Sequence, residues 1–128
     1  MKYYFNKTVI GDFNQVIEKV TEELKKEGFG ILTEIDIKAT LKKKLDVDFY
    51  NYRILGACNP PFAYKALLVE DKIGTMLPCN VIVQEKEKGK IEISAVDPMV
   101  SMSAVENIVL VKVAKQVRDK LKVVIENV

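Results

Sequence analysis

Alternating and helical spacings of apolar residues divide the first part of the chain into a strand and a helix. Residues 2–10 alternate apolar and polar side chains with a period of two, which predicts a half-buried strand. From Asp12 to Gly28 the apolar positions recur every three or four residues, which predicts a helix that Asp12 caps and Gly28 ends. Phe29 is then placed to fold back onto Leu24 in a Schellman motif.

The middle of the chain changes repeatedly between short strands and short helices. The segment GILTEID predicts a strand, with Ile31, Leu32 and Ile35 available to a core. Residues 37–47 return to helical spacing, with one apolar edge and a lysine-rich outer face. The segment YNYRILGAC alternates again, which predicts a strand that ends at Cys58.

A short helix, a hairpin and a long helix complete the predicted order. Asn59 is a suitable cap for a helix whose first turn contains Pro60 and Pro61. The segment CNVIVQEKEKGKIEISAVD alternates up to a Glu-Lys-Gly turn and back, which predicts a β-hairpin. Ser103 and Glu106 have the spacing of a capping box before the last helix.

The last helix carries one apolar stripe that a core-facing helix requires. Its members are Leu110, Val113, Ala114, Val117, Leu121, Val124, Ile125 and Val128. Further apolar residues lie outside this stripe, at Val105, Ile108, Val109 and Val111. Because a turn that is apolar on all sides is seldom left in water, we expect another part of the fold or a second subunit to cover them.

This order of elements predicts an α+β fold. A strand and a helix are followed by four strands, interrupted by two short helices, and then by the long helix. Neighbours of this kind favour an antiparallel sheet with the long helices on one face, a two-layer sandwich. With 128 residues, 48% of them hydrophobic, the chain is predicted to be a single domain over residues 1–128.

Charge and apolar runs exclude several classes of partner. Twenty basic and 18 acidic residues are interspersed and give a net charge of +2, which indicates a solvated surface without a nucleic-acid site. The first residues lack the long apolar region of a signal peptide, and no run approaches the roughly 20 residues of a membrane helix. We therefore predict a cytoplasmic protein with no membrane partner.

The absence of histidine restricts the chemistry further. It removes Ser-His-Asp and Cys-His nucleophiles and every histidine-based metal site within one chain. The two cysteines, Cys58 and Cys79, do not have the CxxC spacing of a zinc site. We therefore predict no metal and no cofactor.

Each cysteine stands directly before an asparagine, in the pairs Cys58-Asn59 and Cys79-Asn80. A helix N-terminus stabilises a thiolate, so Cys58 could act as a nucleophile with Cys79 as its resolving partner. In the alternative interpretation, which we favour, both cysteines are small buried residues, Asn59 caps a helix and Asn80 satisfies a turn.

Aromatic and acidic residues near the cysteines could belong to a pocket. Tyr50, Tyr52, Phe62 and Tyr64 could line a site for a small apolar or planar ligand, although such residues more often belong to a core. Asp97, before Pro98, could supply a carboxylate, although Asp-Pro more commonly turns a chain out of a strand.

Several segments resemble the bacterial and archaeal domain-of-unknown-function 302 family over nearly the whole chain. They are GFGILTEID, LGACNPPFAYKAL and LPCNVIV, followed by AVDP. The family pattern falls on Gly28, Gly30, Gly56, Cys58, Asn59, Pro60, Ala63, Leu67, Leu77, Pro78, Cys79, Asn80, Asp97 and Pro98. The resemblance implies a β-α-β(4)-α arrangement, similar to the TATA-binding-protein-like fold, and a homodimer. It implies no activity, and the charge balance opposes DNA binding.

Together these observations favour a homodimeric module that binds a small ligand. The candidate ligand-binding residues are Tyr52, Cys58, Asn59, Cys79, Asn80 and Asp97. Two alternatives remain: a thiol-dependent enzyme or redox protein that uses Cys58 and Cys79, and a structural or regulatory dimer without a ligand.

Overall fold

The computed structural model of the protein describes residues 2–128, and Met1 of the predicted domain lies outside them. The strands are β1 (Tyr4–Ile10), β2 (Gly30–Asp36), β3 (Asn51–Cys58), β4 (Cys79–Glu87) and β5 (Lys90–Val96). The helices are α1 (Phe13–Lys26), α2 (Ile37–Leu45), α3 (Pro60–Val69), α4 (Pro98–Ser101) and α5 (Ile108–Asn127), with a 3-10 helix at Asp71–Met76. None of the helices within residues 2–128 has the length and apolar character needed to span a bilayer.

The strands form one antiparallel sheet in the order β1-β5-β4-β3-β2. One face of this sheet carries the core, with buried residues at Leu55, Ala57, Val81, Val83, Ile91, Ile93 and Ala95. The predicted apolar stripes of α1 and α5 cover this face and join it in one buried cluster. The predicted α+β two-layer sandwich, with the long helices on one face, is therefore confirmed.

The two ends of α1 are closed as the sequence predicts. The Asp12 carboxylate accepts a hydrogen bond from the backbone N–H of Gln15 at 3.0 Å. At the other end the Phe29 N–H donates to the Leu24 carbonyl at 2.9 Å, the bond that defines a Schellman motif. Gly28 has a φ of +88°, a conformation that costs glycine little. The turn into β2 is therefore specified locally.

The predicted contribution of β2 to the core is partly wrong. Ile31 packs against the core, but Leu32 is 66% exposed and Ile35 is 44% exposed. The pairing with β3 shifts between Ile31 and Thr33, so the strand is irregular at Leu32. Ile35 pairs with Ile54, and alternation puts both on the face of the sheet opposite the core.

The predicted start of the last helix is also wrong. A short helix, α4, and the turn after it occupy the region that includes Ser103, so the capping box with Glu106 does not form. Instead Asn107 caps α5, and its side-chain oxygen accepts from the N–H groups of Val109 and Leu110 at 3.0 and 3.1 Å. A capping box and a single asparagine cap both satisfy free N–H groups at a helix N-terminus. The sequence alone therefore does not decide whether the helix begins after Ser103 or after Asn107.

Glycine at position 56 is required by a close approach between neighbouring segments. A Cβ atom there would overlap the Thr33 hydroxyl oxygen and lie 2.8 Å from Cγ of Pro78. A Cβ at Gly30, in the paired strand, would meet no atom within 4 Å. Position 56 therefore requires glycine for steric reasons, whereas position 30 has room for a side chain.

We expect Gly56→Ala to lower the free energy of unfolding by about 1–3 kcal/mol, the usual cost of overpacking. Gly30→Ala is the matched control, and we expect a change within about 0.5 kcal/mol there. Urea unfolding followed by circular dichroism measures both. Equal effects of the two substitutions would contradict this account of Gly56.

Candidate functional site

The six predicted site residues lie on different faces of the sheet and do not form one site. Cys79 faces the helices and is buried. Asn80, the next residue, is exposed and lies on the opposite face of the sheet, which we call the open face. Tyr52 also lies on the open face. Cys58 and Asn59 lie where β3 passes into α3, beside Cys79. Consecutive strand residues point to opposite faces, so the Cys79-Asn80 step is necessarily divided.

The space beside the cysteines is too small for an organic ligand. Cys58, Asn59 and Cys79 line a cavity of about 30 Å³ whose other walls are mainly apolar, including Phe62 and Val113. A volume of this size corresponds to about one water molecule. This end of the sheet is therefore part of the packed core.

Asn59 has a structural role that differs from the predicted cap. It is the residue before α3, but its side chain makes no capping hydrogen bond. Its Nδ2 group donates instead to the Glu27 carbonyl at 3.0 Å, at the end of α1. Asn59 is 7% exposed, so this bond is shielded from water. The asparagine therefore ties the end of α1 to the beginning of α3.

Asp97 is likewise held by the backbone around it. Its carboxylate accepts from the Met99 N–H at 3.0 Å and caps α4. Its own N–H donates to the Tyr3 carbonyl at 2.7 Å. The carboxyl group is thus engaged where β5 ends and lines neither the cysteine cavity nor the open face.

Burial makes both thiols poorer nucleophiles. It raises the pKa of Cys79 from the ordinary value of 9.0 to about 11, with a smaller contribution from the neighbouring Cys58. Burial also raises the pKa of Cys58. A thiolate nucleophile requires a pKa shifted in the opposite direction. Residues 2–128 also contain no group of three or more cysteine or acidic side chains that could hold a metal ion.

The open face of the sheet forms a concavity of about 500 Å³. Its lining residues are Tyr3, Tyr4, Tyr52, Asn80, Ile82, Gln84, Lys86, Glu92, Ser94, Ala95 and Val96. Gln84 and Ser94, near its centre, are only 9% and 8% exposed. Neither was among the predicted site residues, although the alternation of β4 and β5 puts both on the face opposite the core.

Hydrogen bonds and aromatic contacts order the walls of this concavity. The Gln84 side-chain amide donates to the Tyr50 hydroxyl at 3.2 Å. The Tyr52 ring lies 6.0 Å from the Tyr50 ring and 6.3 Å from the Phe49 ring, measured between centroids. Burial, and to a lesser degree the hydroxyls of Tyr50 and Tyr3, raise the pKa of Tyr52, so its hydroxyl stays neutral.

The charges at this face are balanced. Lys86 and Glu92 are its charged lining residues, and their side chains lie 3.9 Å apart. Glu92 also accepts a hydrogen bond from Asn6 Nδ2 at 3.1 Å. The face therefore offers neutral polar groups and aromatic rings with little net charge.

Comparisons with known proteins identify the family. The family model described as Domain of unknown function DUF302 matches residues 5–128. The chain belongs to this family. A crystal structure of an uncharacterized conserved DUF302 protein from Bacillus stearothermophilus is similar to it, with a TM-score of 0.90 and 27% sequence identity. The similarity covers 99% of this chain and 98% of that one. No curated protein matches this DUF302 domain.

Because the folded state raises the pKa of Cys79, the thiol makes the stability of this DUF302 domain depend on pH. The folded protein holds the thiol proton more tightly than the unfolded chain does. The contribution of Cys79 is therefore present below about pH 9 and lost as the pH rises towards 11, by about 2–3 kcal/mol in total.

We expect the free energy of unfolding of Cys79→Ala to fall less between pH 8 and pH 10.5 than that of the unmodified protein. Urea unfolding at several pH values measures the difference, and tyrosine and lysine titration contributes equally to both proteins. Cys58→Ala is the control, with a smaller change expected because Cys58 is less buried. Parallel pH profiles for all three proteins would refute the assignment to Cys79.

Proposed function

We propose that this DUF302 domain is a binding module that holds a small ligand on the open face of its sheet. The observation that carries the proposal is the concavity of about 500 Å³ with Gln84 and Ser94 nearly buried at its centre. Ligand sites generally have volumes of about 300–1,000 Å³ and a few polar groups among apolar ones. Asn80 and Tyr52, two of the predicted site residues, belong to this lining.

The thiol-based alternatives have less support. The cavity at Cys58 and Cys79 has about the volume of one water molecule, and both thiol pKa values are raised. The two thiols are free in the fold, which is the state that a reducing cytoplasm maintains. We therefore propose the cytoplasm as the compartment and assign the cysteines to the core.

Filling the concavity tests the ligand site. We expect Ser94→Phe to abolish binding of small fragments to the open face, because the new ring occupies the space beside Gln84. Thr8→Phe, on the same face but outside the lining, should leave binding unchanged. Amide chemical shifts of the ¹⁵N-labelled protein, recorded with a fragment panel, report both the location and the strength of binding.

The panel should include adenosine, ribose, toluene and inorganic phosphate, so that it covers planar, non-planar, apolar and anionic compounds. Thermal unfolding of both variants checks that they are folded. The proposal is wrong if no fragment shifts the open-face amides, or if Ser94→Phe, although folded, binds fragments as well as the unmodified protein.

We also propose that the domain is a homodimer, as the family resemblance implies. The supporting observation is a set of exposed apolar side chains on neighbouring helix ends. They are Tyr64, Leu67, Leu68, Val69, Ile108 and Val109. The Asn107 side chain donates to the Val69 carbonyl at 3.0 Å, which brings the end of α3 against the beginning of α5. Clustered apolar side chains of this kind are typical of interaction surfaces.

We expect Ile108→Lys to shift the protein from dimer to monomer, because the lysine charge would have to be buried in the interface. Ile10→Lys is the matched control, since Ile10 is 78% exposed and Ile108 is 76% exposed. Ile10 is the last residue of β1 and does not belong to the apolar set on α3 and α5. Sedimentation velocity across a range of concentrations measures the change. A monomeric unmodified protein, or equal behaviour of the two variants, would exclude this interface.

A further inference from the structure

The chemical groups in the concavity restrict what it can hold. Three tyrosines, one asparagine, one glutamine and one serine line it, together with apolar residues and the paired Lys86 and Glu92. Among the described lining residues the only charged side chains are this pair, and the Lys2 ammonium at the rim lies over the Tyr4 ring at 5.9 Å from its centroid, so the lining itself gives a strongly charged ligand little unbalanced charge to bind. A purely aliphatic ligand would leave the polar groups at the centre without partners, at a cost for each buried group. The lining therefore favours an uncharged ligand that combines apolar surface with hydrogen-bonding atoms.

The central polar groups are oriented and retain hydrogen-bonding capacity. The Gln84 Nε2 group donates to the Tyr50 hydroxyl, which holds the amide in place and leaves the carbonyl oxygen for another donor. Ser94 pairs with Ile82 of β4, two residues along the strands from the Gln84–Glu92 pair and on the same face of the sheet. Its hydroxyl can both donate and accept. Together these groups offer an acceptor and a donor on neighbouring strands.

Aromatic rings flank these polar groups on two sides. Tyr52 lies on β3 and Tyr4 on β1, with β4 and β5 between them. Three strand spacings separate their backbones, which is about 14 Å. Tyr52 is braced by Tyr50, and the Tyr3 and Tyr4 rings contact each other at 5.0 Å between centroids. Braced rings of this kind provide flat surfaces on which a planar ligand can stack.

We infer that the concavity takes an uncharged heteroaromatic ring of the nucleobase type, stacked on Tyr52 and hydrogen-bonded by Gln84 and Ser94. The inference rests on the proposed ligand site and adds the chemical class of its ligand. The ring belongs to a free small molecule, because within residues 2–128 Lys86 is the one basic residue of the lining and Glu92 neutralises it. A nucleic-acid strand would require further positive charge along its backbone.

Adenosine is the test ligand, and ¹⁵N chemical-shift titration of the full chain is the measurement. We expect adenosine to shift the amides around Tyr52, Gln84 and Ser94. Ribose and phosphate should leave these amides unchanged, and toluene should bind at least about tenfold more weakly because it cannot pair with the polar groups. Decaadenylate should bind no more tightly than adenosine.

Two variants separate the stacking contact from the hydrogen bonds. Gln84→Met keeps the side-chain length and should weaken adenosine binding at least about fivefold while leaving toluene binding unchanged. Tyr52→Leu should weaken both, by at least about fivefold, because both ligands stack. Val123→Leu, on α5 and 38% exposed, lies outside both the lining and the proposed dimer surface; it is the control and should change neither. Thermal unfolding confirms that each variant is folded.

The outcomes distinguish the ligand class from the site itself. If ribose, phosphate or toluene binds this face as well as adenosine does, the heteroaromatic class is wrong and the open-face site remains. Tighter binding of decaadenylate that weakens with salt would overturn the assignment to a free small molecule. If none of these probes shifts the open-face amides, both the ligand class and the proposed site fail.

Discussion

The register of the β4–β5 hairpin is the constraint on which the rest of the structure depends. Val81, Val83, Ile91 and Ile93 are 0% exposed on one face of these two strands. Because side chains alternate, the same register puts Gln84 and Ser94 on the other face. A shift by one residue would exchange the two sets and expose the core. The packing of the hydrophobic core therefore determines which side chains the open face presents.

Three of the four residues in the paired Cys-Asn steps, Cys58, Asn59 and Cys79, belong to the framework that holds the helices on the sheet. The Schellman turn at Gly28 brings the Glu27 carbonyl to the Asn59 amide, and a Cβ at Gly28 would lie 3.2 Å from that amide. Cys79 is buried beside this junction, on the wall of the small cavity. A repeated Cys-Asn pair in a sequence can thus indicate close packing between helices and strands, and not a reactive thiol.

Strong local patterns made most of the fold predictable from sequence. The hairpin, the apolar stripe of α5 and the closing turn of α1 each depend on residues that are near one another in the chain. The helix start at Asn107 was missed because two capping patterns compete within a few residues. The fold class, the sheet with its helices on one face and the family were all predicted correctly.

The candidate site was predicted less well because it depends on how distant segments meet. The predicted site contained both Cys79 and Asn80. Consecutive strand residues point to opposite faces, so these two side chains cannot belong to one pocket. The burial of Gln84 and Ser94 has a different origin. It depends on neighbouring strands that are distant in sequence, since Tyr4 of β1 and Tyr52 of β3 line the same concavity, and no local pattern reveals this. Tyr52 and Asn80 were named for their proximity in sequence to the cysteines.

The irregular pairing at Leu32 has a consequence for how the protein behaves at high concentration. The strands β1 and β2 are the two edges of the open sheet, and each presents unpaired backbone groups. The shift between Ile31 and Thr33 interrupts the regular ladder of β2, and Glu34 and Asp36 add charge along the strand. Such interruptions prevent an edge from acting as a template for another strand. The β2 edge is therefore a poor template for pairing with the sheet of another molecule.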